Sequence, residues 1–122
     1  KWGIIPDMGI SATLRGLIPV DKVKELAWTT RIVDCEEARA IGLVTDVCSD
    51  PEDKARALAN TCAEHSPDAV RGIKRLVNEG WQMPEADSLA LEAELQSKII
   101  GGTNQREAVA ANVEGREPDF SD

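Results

Sequence analysis

Aromatic side chains are scarce: three Trp, one Phe and no Tyr in 122 residues. The core must therefore rest on Leu, Ile, Val and Ala. A single His and no Tyr leave carboxylates as the main general-base candidates. Positive charge is also short, with 14 Lys and Arg against 22 Asp and Glu and a net charge of −8. No basic run exceeds Lys74-Arg75. Nucleic acid and anionic membrane surfaces both demand clustered cations, so neither is expected as a partner. No apolar stretch reaches the length of a membrane span, and no signal-peptide pattern precedes Lys1. The chain starts without Met on an apolar run, which leaves open where the natural N-terminus lies. Cys35, Cys48 and Cys62 are odd in number and lack C-x-x-C spacing. They read as reduced thiols of a cytoplasmic protein acting as small core hydrophobes, with no metal site expected.

What is present is a string of helix signals. Ile10 to Leu17 reads as a short helix closed by Gly16 and Pro19. Asp21 is placed to cap the next, whose apolar positions are Val23, Leu26 and Ala27, with Trp28 at its end. Asp34 to Glu37 is a capping box with Gly42 as the stop. Asp50-Pro51-Glu52-Asp53 opens a helix with Ala55, Leu58, Ala59 and Cys62 on one face. Ser66-Pro67-Asp68 repeats the device ahead of a Val70, Ile73, Val77 stripe. Pro84 to Ile100 is the longest helix, with Leu91, Leu95 and Ile99 in register. Gly101-Gly102 ends it, and Thr103 or Asn104 caps a last helix carrying Val109 and Val113. Strands are expected only at Trp2–Ile5 and Leu43–Cys48. The fold class is therefore mainly α. A chain of this length suits one domain, but domains of this size bury little, and the 84–100 helix calls for a partner surface.

The opening stretch, Lys1 to Arg15, holds the candidate chemistry. Pro6 ends the extended run and leaves Asp7 where a helix begins. A carboxylate at that junction is either an N-cap for the orphan amides near Gly9 and Ile10 or a catalytic group.

Gly-Ile-Ile-Pro-Asp-Met-Gly at 3–9, followed by Leu-Arg-x-Leu-Ile, resembles the enoyl-CoA hydratase/isomerase (crotonase) family. Further matches follow in order: Ala/Val-Lys-Glu-Leu at 23–26, where this chain has Val23, Thr-x-Arg at 29–31, and Glu-Glu-Ala-x-x-x-Gly-Leu-Val at 36–44. Ser-Pro-x-Ala-Val-Arg-x-Ile-Lys at 66–74 and Arg-x-Pro-x-Phe at 116–120 complete the set. The resemblance implies the C-terminal helical half of a crotonase-like α/β fold. Residues 1–50 would form the edge of the active-site core and 51–122 a helical trimerisation region. It implies an acyl-CoA substrate, no cofactor beyond the coenzyme A thioester itself, and a trimeric or hexameric homo-oligomer. The expected reaction adds water to an enoyl-CoA, or shifts double bonds of an enoyl- or dienoyl-CoA, through an enolate held by two backbone N–H groups. Both donors, and a Glu two residues before Lys1, would lie upstream, so this chain alone is expected to be inactive.

By the same resemblance Asp7 stands where ordinary hydratases carry Gly, as in the dienoyl-CoA isomerases, where it and the upstream Glu move a proton. Two carboxylates facing one apolar slot serve as base and acid once their environments separate them. It is also similar to the chlorobenzoyl-CoA dehalogenases, where the equivalent Asp is a nucleophile. Trp2, Met8 and Trp28 are the implied substrate contacts, each with core packing as the plainer reading. Thr30 replaces a family Gly at the acyl pocket. Arg116 lies in the family's CoA-contacting tail, where Gly115 replaces a Lys, and solvated charge is the alternative. His65 and Lys74 read as structural. Ala108 and Asn112 depart from the family pattern within the last helix. The competing function is a helical assembly module or fragment without chemistry of its own.

Overall fold

The computed structural model describes residues 1–121, whose regular structure is all helical, with no strand among them. The chain divides into two compact units, Lys1–Pro51 and the remainder from Glu52.

In the first unit, residues 1–9 lie exposed ahead of α1 (Ile10–Thr13), α2 (Val20–Thr29) and α3 (Cys35–Ala40). α1 is a single turn and not the helix to Leu17 that the spacing predicts. Its N-cap is Gly9 at φ 84°, and Leu14 already donates back to the Ile10 carbonyl. α2 begins one residue before Asp21, which therefore sits in the first turn and is not the cap. Val23, Leu26 and Ala27 turn inward as expected, while Ile18 and Ala38 are buried. Asp34 caps α3 by accepting from the Glu37 N–H at 2.8 Å.

The two expected strands are corrected. Leu43 and Val44 both donate to the Ala38 carbonyl, so the segment wraps back over the end of α3 with those amides spent. Trp2–Ile5 meets no edge among the described residues, and an extended segment without a ladder partner is not a strand.

Arg31 locks the unit. Its guanidinium donates to both carboxylate oxygens of Glu25 on α2 and both of Glu37 on α3. Such paired forks fix geometry as well as charge. They hold both carboxyls below their usual range and Arg31 above its own, the side-chain hydrogen bonds being the leading cause.

α4 (Pro51–Ala63) starts at its proline, but its apolar face is exposed along its length. In the second unit, α5 (Pro67–Arg75) runs into a π-helical turn, Leu76–Gly80, before α6 (Glu85–Ile99) and α7 (Thr103–Glu114). α6 turns Leu91, Leu95 and Ile99 inward, as its spacing predicts. Its neighbour presents only part of the predicted stripe: Val70 is half-buried, but Ile73 and Val77 are exposed, and the row facing inward is Ala69, Gly72, Leu76 and Gly80. The reason is close approach. A Cβ at Gly72 would lie 2.8 Å from the Cδ1 of Ile99, and one at Gly80 would lie 3.1 Å from the Ser88 hydroxyl.

α7 behaves likewise. Val109 and Val113 face out, while Asn104 and Ala111 are buried. Neither Thr103 nor Asn104 is its cap, since Gly102 takes that place. Asn104 instead donates to the Asp68 carboxylate at 2.9 Å and the Ser121 carbonyl at 2.8 Å. Its own carbonyl accepts from the Ser121 N–H at 2.9 Å. One amide thus joins the start of α5, the start of α7 and the tail. The cysteines are a further correction: Cys35, Cys48 and Cys62 are all exposed. Cys35 opens α3 and Cys62 sits on the uncovered face of α4, so neither meets a core.

Candidate functional site

The exposed opening segment curls against α1 and the end of α2 and encloses an open groove of about 560 Å³. Its walls are mainly apolar: Trp2, Ile4, Ile5, Met8, Ile10 and Leu14, with Ala27 and Thr30 from α2. Asp7 is the one carboxylate among the lining residues.

The left-handed Gly9, and not Asp7, precedes α1, and no side chain caps that helix. Asp7 is exposed, and no hydrogen bond or ion pair engages it among the described residues. The cap role that bare pattern favours is therefore not the one the carboxylate plays. The Asp7 carboxylate thus stands in an apolar wall without an intramolecular partner among the described residues.

Trp2 and Met8 share that groove with Asp7, while Trp28 lies outside its lining and is 77% exposed. Trp2 carries the Lys1 ammonium 6.0 Å from its ring centroid, at the limit of a cation–π contact. Thr30, which closes α2, adopts φ 55° and contributes to the wall. Sequence reasoning gave it pocket-shaping weight through the resemblance, but its left-handed backbone has no signature in a Thr.

Arg116 belongs to the second unit. It donates to both oxygens of Glu107, to Glu114 at 2.6 Å and to the Glu117 carbonyl at 3.1 Å. Glu107 also accepts from the Asp119 N–H at 2.8 Å. The Arg116 hydrogen bond, followed by the Asp119 amide, lowers the Glu107 pKa to about 2, and Arg116 is raised in turn. His65 lies beside Ala63, Ser66 and Phe120 on a separate open groove of the second unit. No group of three or more His, Cys, Asp or Glu side chains is placed to hold a metal ion among the described residues. No helix among them is long and apolar enough to cross a membrane.

The class is that of a helical half-fold whose N-terminal segment sets one carboxylate in an apolar groove. Residues 1–122 match the enoyl-CoA hydratase/isomerase family model, and the chain belongs to that family. It is 30% identical over 122 residues to an enoyl-CoA hydratase of Mycobacterium tuberculosis, covering 98% of this chain and 46% of that protein. A short-chain-enoyl-CoA hydratase of Clostridium acetobutylicum is 31% identical over 116 residues, covering 93% and 44%. The fold matches the crystal structure of an enoyl-CoA hydratase from Bacillus anthracis with a TM-score of 0.89 at 32% identity, covering 97% of this chain and 46% of that one. The helical half of the crotonase fold is thus what this chain forms, and it spans about half the length of the curated relatives it matches.

Proposed function

We propose that this chain forms part of an acyl-CoA hydratase or double-bond isomerase, with Asp7 as an acid–base group at the acyl groove. The observation that carries this is the Asp7 carboxylate, unpartnered among the described residues and set in an apolar wall. Family membership supports the enoyl-CoA thioester as substrate. In hydration, water adds across the double bond: its oxygen joins the β-carbon, and a proton reaches the α-carbon after enolate formation. In isomerisation, one carboxylate removes a proton and another returns it at a conjugated position. Asp7 suits either step as base or acid, paired with a second carboxylate that the resemblance would imply upstream of Lys1. Trp2 and Met8 are proposed as apolar contacts for the acyl group.

For Arg116 the geometry favours pinning the C-terminal tail over holding CoA phosphate, because its donors already face carboxylates and a carbonyl. Trp28, outside the groove, is assigned to packing against a further surface.

A second reading, an assembly module without chemistry of its own, draws on the uncovered apolar side chains of both units, Trp2, Trp28 and Trp81 among them. Steady-state turnover of crotonyl-CoA and of a dienoyl-CoA by the intact protein separates the two. Turnover of either thioester supports the enzymatic reading. Failure to bind or turn over both leaves the assembly reading in its place.

A further inference from the structure

Thr30 ends α2 in the left-handed region, at φ 55° and ψ 21°. Every other described residue at positive φ is a glycine, as at Gly42, Gly101 and Gly115. Left-handed backbone is costly for a β-branched residue, and strain of this kind persists where the side chain has a use. Inside the described fold it is offset only by the cap of α2, where the Thr30 N–H donates to the Leu26 carbonyl at 3.0 Å. The neighbouring Thr29 hydroxyl donates to the Glu25 carbonyl at 2.8 Å, whereas no hydrogen bond engages the Thr30 side chain among the described residues. What Thr30 does share is the wall of the groove that holds Asp7 and Trp2.

We infer that Thr30 is a specificity-determining residue: its methyl and hydroxyl close the α2 end of the Asp7 groove and restrict the acyl group to short chains. A glycine would relax the backbone and remove that wall. An asparagine would relax the backbone, because it tolerates the left-handed region, yet keep the wall filled. The inference rests on the Asp7 groove being the acyl site.

The test compares the intact parent protein with Thr30→Gly and Thr30→Asn, measuring kcat/KM for crotonyl-CoA and decenoyl-CoA. The expected result is a rise of about tenfold or more in the decenoyl-to-crotonyl ratio for Thr30→Gly, in the range that a few methylenes command in an apolar pocket. Thr30→Asn should stay within about threefold of the parent. An active parent whose ratio is unchanged in Thr30→Gly overturns the inference and leaves the acyl-CoA reading standing. Equal shifts in both variants also overturn it, since relief of strain and not lost bulk would then be the cause. A parent that turns over neither thioester overturns the acyl-CoA reading, and this inference with it.

Discussion

Single residues carry most of what distinguishes this chain. Thr30 is strained where glycine would be at ease, so Thr30→Gly should stabilise the protein by about 1 kcal/mol, after the entropy cost of glycine is set against the relief. Thermal unfolding of parent and variant would register this as a raised midpoint, and a lowered midpoint would deny the strain. Glu107 supplies a pH test. Its folded-state pKa of about 2 lies below the ordinary carboxylate value of 4.5. Its contribution is therefore present in full above that ordinary value and is lost as pH falls through it toward the folded one. Hydrogen exchange at the Asp119 amide should stay protected at neutral pH and lose protection as pH drops toward 2, and Glu107→Gln should weaken it already at neutral pH. Asn104 is the buried counterpart. Asn104→Ala strips Ser121 and Asp68 of partners and should cost about 1–3 kcal/mol. Asn104→Asp should cost more at neutral pH by setting a second carboxylate against Asp68, a difference that denaturant unfolding of the two variants would measure.

At the scale of elements, the sequence made helices legible and their inward faces less so. Pro51, the Ser66-Pro67 pair and the Asp34 capping box each mark a real helix start, because caps act locally and leave local signatures. The α6 stripe of Leu91, Leu95 and Ile99 was equally readable. The α5 and α7 stripes were not, because hydrophobic spacing points to the largest side chains. Here the helices meet through their smallest: Gly72 and Gly80 admit Ile99 and Ser88, and Ala111 lies under α7. Gly72→Leu should therefore destabilise by about 1–3 kcal/mol through overpacking, seen as a lower denaturation midpoint. The two strands failed for a related reason: a strand depends on a distant partner, and Val and Thr content does not supply one. Of the candidate site, Trp2, Asp7 and Met8 were legible together because they are near neighbours in the chain. The groove's second wall, Ala27 and Thr30, comes from a helix that the sequence places some twenty residues on.

At the scale of the whole chain, the described residues bury few side chains, and all three tryptophans are at least 77% exposed. Tryptophan is seldom left so open, and apolar surface on this scale marks contact with other protein or ligand. Tryptophan emission from this chain alone should lie close to that of the free amino acid in water and shift to shorter wavelength in the intact assembly. Emission that stays unshifted on assembly would place all three side chains outside any interface. The family and the fold are secure at this scale because motifs spread from residue 3 to residue 120 agree with a single fold. The proposed reaction rests on far fewer atoms, and chiefly on the carboxylate of Asp7. The most direct measurement is the kcat of the intact protein on crotonyl-CoA and on a dienoyl-CoA with Asp7 and with Asp7→Asn. The account predicts a fall of about a hundredfold or more with KM little changed, as for loss of a general acid or base. Turnover within about tenfold of the parent would contradict it and reduce Asp7 to a polar residue on an apolar wall.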